Sequence, residues 1–184
     1  MYCIIDGQLS KNCTICFAGT GASMSIFVLL HLGNSLQYPL LMAPFGASCV
    51  LLFLLPNSPL SQTKSVIGGH LLSSTVGLLL VFFMAHFPVK YFGEISPLMT
   101  NVAIALSVGL AISLMDALNI VHPPAGANPI VILLAQQSAD FQLFPGLSGA
   151  VILVLIALSQ QKLIQFFILK SRSPKNNSLE RTHD

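Results

Sequence analysis

Apolar residues along this chain come in long unbroken blocks, not in alternation and not in amphipathic stripes. Residues 12 to 63 contain no Asp, Glu, Lys or Arg, and the stretches 65–89, 95–115, 117–139 and 141–161 are equally free of charge. Each is long enough, or nearly so, for the roughly 20 apolar residues that cross a hydrocarbon core. The pattern predicts four spanning helices, at about 15–37, 65–87, 98–119 and 145–169. Between the first and second, and again between the third and fourth, the apolar character continues while the backbone chemistry changes. Residues 43–55 read "APFGASCVLLFLL" and residues 123–135 read "PPAGANPIVILLA".

Proline lacks an N–H donor and biases the residue before it away from helical geometry. Pro44, Pro123, Pro124 and Pro129 therefore mark breaks in the helical path. The apolar runs behind them, Cys49–Leu55 and Pro129–Gln136, would each measure about 10–12 Å as helix. That is too short to span and too hydrophobic for an aqueous loop. The expected element is a re-entrant half-helix: the chain leaves the first span near Tyr38-Pro39, dips inward, and climbs back out to Pro56. Non-helical backbone at membrane depth is tolerated only where it is buried in protein or lines a cavity.

The two breaks are related in sequence. The register that lays Gly46-Ala47-Ser48 over Gly126-Ala127-Asn128 also lays Gly69 over Gly149. The chain thus reads as an all-α polytopic membrane protein, four transmembrane helices plus two re-entrant half-helices in a duplicated arrangement. Residues 1–14 form an N-terminal segment and 15–170 a single transmembrane domain, with repeat one at about 15–87 and repeat two at about 98–169; the polar tail 171–184 is expected to be disordered. Two full spans per half would give the repeats the same orientation.

Composition agrees. The chain is 54% hydrophobic and 8% charged, with mean hydropathy +0.80, against about 25% charged residues in soluble domains. So sparse a charge set gives no footing for nucleic acid. With four spans, both termini share a side with the 88–97 loop. That side collects Lys11, Lys90, Lys162, Lys170, Arg172, Lys175 and Arg181 and leaves Lys64 alone on the other, so the positive-inside rule puts both termini in the cytoplasm. The first apolar run continues into a full span and lacks the basic region of a cleaved signal peptide.

The candidate chemistry gathers at the breaks. Asn128 is a favoured N-cap and Pro129 a favoured first helical residue, and Ser48 occupies the matching cap in the first half. Unpaired N–H groups at a helix start, with the positive end of the dipole, attract anions. Gly46, Ala47 and Ser48 with Gly126, Ala127 and Asn128 are accordingly the expected contacts for a small anion. His122 enters the second break; with an ordinary pKa of about 6.5 it can donate a hydrogen bond or carry a proton. His70, in "IGGHLL", is placed to reach the same region. His31 and His86 read as packing or interfacial residues. Asp116 is the sole acid inside a predicted span, and no Cys/His/Asp set has metal-ligand spacing, so neither catalysis nor a metal or other cofactor is expected. Cys13 and Cys16 form Cys-x-x-Cys, without the second pair or the histidine that zinc would need. No G-x-x-x-x-G-K-[ST] is present, which leaves a channel or gradient-driven carrier over direct use of ATP. Small residues recur every four positions at Gly69, Ser73 and Gly77, at Ala105, Gly109 and Ser113, and at Gly146 and Ala150. Such ridges let membrane helices approach closely, within one bundle or between copies in a homo-oligomer.

The stretch "VHPPAGANP" resembles the signature of the HPP family of integral membrane proteins, and "APFGASCVLLF", "PNSPLSQ" and "IGGHLLSSTVGL" resemble the family pattern at their expected places, over about residues 20–165. The resemblance implies four transmembrane helices and maps the family motif onto His122, Pro123 and Pro124. It also implies transport: chloroplast members are linked to nitrite, and bacterial members are described as transporters. Without an Arg-rich transit peptide, a bacterial inner membrane is the expected location. The alternatives that stay open are a channel for water or a small neutral solute, and a structural subunit that transports nothing.

Overall fold

The computed structural model describes residues 4–5, 8–92, 96–135 and 143–172; the predicted disordered tail falls almost wholly outside them. A two-residue strand pair, β1 (Ile4–Ile5) with β2 (Gln8–Leu9), precedes the helices. Six helices follow: α1 (Lys11–Leu36), α2 (Pro44–Leu54), α3 (Thr63–Phe92), α4 (Pro97–Ala117), α5 (Asn128–Leu134) and α6 (Ser148–Arg172). Four are long and apolar enough to cross a membrane, and two shorter apolar helices occupy Pro44–Leu54 and Pro123–Leu134. This is the predicted set.

The helix starts follow local chemistry. Ser10 accepts from the Cys13 amide to cap α1, and Ser96 accepts from the Met99 amide to cap α4, whose first residue is Pro97. Helix α1 ends on Gln37 in the left-handed region (φ 58°), and the turn after α4 uses Asn119 in the same way (φ 54°). Both let the backbone leave the helix sharply and enter its break.

The short helices differ from expectation in where they begin. α2 starts at Pro44, not Cys49, so Gly46, Ala47 and Ser48 are helical and Ser48 is not an N-cap. Proline suits the first turn of a helix, and nothing in "FGAS" stops one. The cost of one interior glycine, about 1 kcal/mol, is offset by burying Phe45 and Ser48. In the second half, Pro123–Ala127 form a 3-10 turn that runs directly into α5. Asn128 is itself helical (φ −59°, ψ −44°), and its side chain does not cap.

The route through the short helices also corrects the sequence reading. On α6, Gln160 bonds to the Phe17 carbonyl of α1, and Gln161 Nε2–H donates to the Leu52 carbonyl of α2 at 3.2 Å. The end of α2 therefore lies beside the start of α1 and the later half of α6. The start of α2 lies at the opposite end, where Gly149 of α6 backs onto Leu40 and the Phe45 ring. So α2 completes a crossing that the extended segment 38–43 begins; it does not return to the side it came from. α3 then starts where α2 ends: Ser61, just ahead of it, donates to the Leu51 and Leu55 carbonyls at 3.0 and 2.7 Å. In the second half the 3-10 turn and α5 run alongside α3. Ala125 meets Ser73, Asn128 meets Ser74, and Leu133 packs with Met84 and Ala103.

Each half thus makes three crossings, an odd number, and the repeats are inverted relative to one another. The register of the breaks carries α2 onto residues 124–134 and α3 onto 143–172, the latter matching a one-turn π-helical segment (Leu143–Leu147) plus α6. It also predicts contacts. Gly69 of α3 backs onto the Ile120 carbonyl in the second break, and Gly149 of α6 backs onto the Leu40 carbonyl in the first; the register carries one contact onto the other. Both termini of the bundle lie on one face, with Lys64 beside them and the start of α4 opposite. The main apolar core sits around α6 and α2, from Phe45, Cys49 and Leu52 to Ala150, Leu153, Val154 and Ala157.

Of the three small-residue ridges, the one on α3 packs inside the bundle: a β-carbon at Gly77 would lie 3.0 Å from Pro129 Cα. The ridge Ala105, Gly109, Ser113 on α4 faces outward.

Candidate functional site

Where the two broken segments meet, six polar side chains are buried: Ser48 of α2, His70, Ser73 and Ser74 of α3, His122 at the second break, and Asn128 of α5. His70, Ser73 and Ser74 share one helix face because residues three and four apart lie over one another. That face looks onto the 3-10 turn and α5.

A chain of hydrogen bonds links them. His122 Nδ1 lies 2.8 Å from the Leu60 carbonyl oxygen. A carbonyl can only accept, so Nδ1 carries a proton, and in the neutral ring Nε2 must accept. Its partner is the Ser48 hydroxyl, which donates at 2.8 Å. Ser48 then has no second proton to give, so it accepts from His70 Nε2–H at 3.0 Å. His70 Nδ1 is left as an acceptor for the Asn128 amide, whose Nδ2 is 3.1 Å away. Asn128 Nδ2 also lies 3.0 Å from Ser74 Oγ and 3.2 Å from the His70 carbonyl oxygen. With both rings neutral, one assignment of protons satisfies every link from the Leu60 carbonyl to Asn128 Nδ2.

The prolines contribute by subtraction. Pro129 has no N–H to give the carbonyl four residues back, that of Ala125. This oxygen accepts instead from Ser73 Oγ–H at 2.6 Å. The rings are packed as well as bonded: Phe45 meets His70 edge-on at 4.9 Å, and the two histidine centroids are 5.1 Å apart.

The structure therefore brings together four of the predicted residues, Ser48, His70, His122 and Asn128, but as side chains bonded to one another. Gly46 and Ala47 are exposed, and Gly126 and Ala127 are half-buried. The amides expected to face an anion are partly spoken for. Gly46 N–H donates to the Ala43 carbonyl and Asn128 N–H to the Ala125 carbonyl, since a tight first turn satisfies its own donors. Asp116 is exposed at the end of α4 and bonds to neither ring. His31 and His86 are exposed and stack on Phe27 and Phe82. Cys16 is a free, exposed thiol, so the Cys-x-x-Cys pair is not bonded to itself. No group of three metal-ligating side chains occurs among the described residues. Sequence reasoning missed Ser74, the Phe45 ring and the Leu60 carbonyl, and saw in Ser73 only a small residue. The spacing of His70, Ser73 and Ser74 carried the signal for the two serines; nothing local marks a carbonyl whose partner lies 62 residues away.

The cluster occurs once. The repeat register places Met42 where His122 would recur, Ala150 for His70, and Leu153 and Val154 for Ser73 and Ser74. One interface between the halves is polar and the related one is apolar.

A family model described as the HPP transmembrane region matches residues 8–166. Two transmembrane proteins of Dictyostelium discoideum are similar to the chain, 36% and 31% identical over 139 residues each. The matches cover 72% of this chain and 46% and 42% of those proteins, so the chain spans less than half the length of these relatives. No solved structure matches it. The chain, a membrane protein with four long spanning helices and two broken segments meeting at a buried histidine pair, belongs to the HPP family.

Proposed function

We propose that this protein is a transporter for a small monovalent anion, with nitrite the first to test. The observation that carries the reading is the arrangement of the halves. Two inverted repeats, each with a broken helix, meet head to head at a buried polar cluster, and carriers that alternate access place their binding sites at such junctions. The donors there are hydroxyl, imidazole and amide groups, and no carboxylate joins them among the described residues. A donor-rich, acid-free site favours an anion over a cation. In the closed form the donors satisfy one another, so substrate binds when the halves part and an anion replaces those mutual bonds. By the charge on the face that holds the termini, we place that face in the cytoplasm.

The test is uptake of nitrite into proteoliposomes at clamped membrane potential. Saturable uptake above protein-free liposomes, competed by nitrate, formate or chloride, is expected. Rapid water or neutral-solute flux with no anion uptake would overturn the proposal in favour of a neutral channel.

A further inference from the structure

We propose that His122, Ser48 and His70 form a binding site for one mobile proton, the coupling ion of the transport reading above. The partners that an added proton needs are already in place. Asn128 presents both ends of its amide to His70 Nδ1, Nδ2 at 3.1 Å and Oδ1 at 3.3 Å. It can therefore donate to a bare Nδ1 or accept from a protonated one. Ser48 is equally two-sided. Its hydroxyl oxygen touches both imidazoles and also lies 3.3 Å from the Pro44 carbonyl oxygen, an alternative acceptor.

Protonation of His70 at Nδ1 makes that nitrogen a donor to Asn128 Oδ1; His70 is then the cation, its Nε2–H still donates to Ser48 Oγ, and Ser48 still donates to His122 Nε2. Transfer needs two concerted moves: the Ser48 hydroxyl proton passes to His122 Nε2 as the His70 Nε2 proton passes to Ser48 Oγ. Afterwards His122 is the cation, with Nδ1–H on Leu60 and Nε2–H on Ser48, and His70 is neutral, accepting from Ser48 at Nε2 and donating from Nδ1 to Asn128 Oδ1. Every donor and acceptor in the relay has a partner before and after. A second proton would set two cations on rings 5.1 Å apart, so the site holds one.

The surroundings suit this. Leu60, whose carbonyl holds His122, lines a cleft of about 340 Å³ with Lys64, Ser65, Asn119 and Val121, which gives the relay one end near the face that holds the termini. Among the described residues near the relay, the other titratable groups on the packed elements are Cys49 on α2, buried beside Ser48, exposed Lys64 at the start of α3 and exposed Asp116 at the end of α4; His86, farther along α3, is exposed against Phe82. The described start of α6 at Gly149 and Ala150 carries none. Ser48 and His70 belong to the first repeat, His122 and Asn128 to the second. Parting the halves therefore breaks the Ser48–His122 link and strands the proton on one ring, which is what coupling requires.

The site is tested without substrate by nitrogen NMR of histidine-labelled protein in nanodiscs, with His31→Gln, His86→Gln and His183→Gln leaving two rings to report. At high pH, His122 should carry its proton on Nδ1 and His70 on Nε2. On acidification one proton per chain should load, moving both rings at the same pH, and Ser48→Ala should separate the two titrations. Rings that titrate independently in the parent protein, or that take no proton before it unfolds, would overturn the proposal. In proteoliposomes, one proton per anion would let a one-unit pH gradient at zero potential concentrate nitrite up to about tenfold, at a saturable rate above the leak of nitrous acid in protein-free controls. Saturable exchange that never exceeds equilibration would sink the coupling role. Shared loading without any nitrite flux would uphold the proton site and remove nitrite as its substrate.

Discussion

At the scale of single residues, the informative fact about His122 is that it has no spare valence. Both ring nitrogens are engaged, at 2.8 Å each, and the side chain is fully buried. His122→Ala would orphan the Leu60 carbonyl, at a cost of about 1–3 kcal/mol, and turn the Ser48 hydroxyl to its longer contact with the Pro44 carbonyl. The expected outcome is a lower thermal midpoint in detergent together with loss of nitrite flux. Asn128→Leu keeps the volume and removes the amide. It should leave His70 Nδ1 without a donor and lower the midpoint by a similar amount in the same assay. The sequence marked His122, Asn128, Ser48 and His70 because polar residues in grease at a helix break are rare. Their roles were not legible. Capping is a local rule, and these side chains turn away from their own helix ends because partners fixed by tertiary packing, 22 to 74 residues distant, bind them better.

At the scale of elements, close packing at two glycines defines the junction of the halves. A β-carbon at Gly69 would lie 2.8 Å from His122 Cβ and 3.3 Å from the Ile120 oxygen. Gly69→Ala should cost about 1–3 kcal/mol by overpacking. Gly149→Ala, pressed against Leu40 and Phe45, should cost as much. Gly109→Ala on the outward ridge meets nothing within 4 Å and should leave the midpoint unchanged or raise it. Equal losses at all three positions would show that the junction is not where packing is tight. A smaller effect belongs to the turn after α4: Asn tolerates the left-handed region better than Ala, so Asn119→Ala should cost about 1 kcal/mol. The long helices were legible because an unbroken apolar run of that length has one solution in a bilayer. The start of α2 was not, because a proline ahead of small residues reads equally as a break or as a first turn, and burial of Phe45 decides it.

At the scale of the whole molecule, the number of crossings per repeat decides which loops share a face. Substituted-cysteine labelling checks it, in a background with the native cysteines removed. Asn57→Cys and Lys64→Cys should react from the same side as Lys162→Cys, and Asn34→Cys from the other. Labelling of Lys64→Cys together with Asn34→Cys would restore parallel repeats. The duplication was visible from matched residues, while its sense was not: whether a short apolar helix returns or continues depends on what its far end packs against. On the transport reading proposed above, the mismatch between the two interfaces has a kinetic meaning. A pair of identical half-length chains must look the same from both membrane faces, so its forward and backward rates at equal concentrations are equal. The fused chain, with a histidine pair at one junction and Met42 and Ala150 at the other, is free of that restriction. Equilibrium still ties the two directions together, but half-saturation can be low on one face and high on the other, which lets such a protein load at scarce concentrations and discharge into abundant ones.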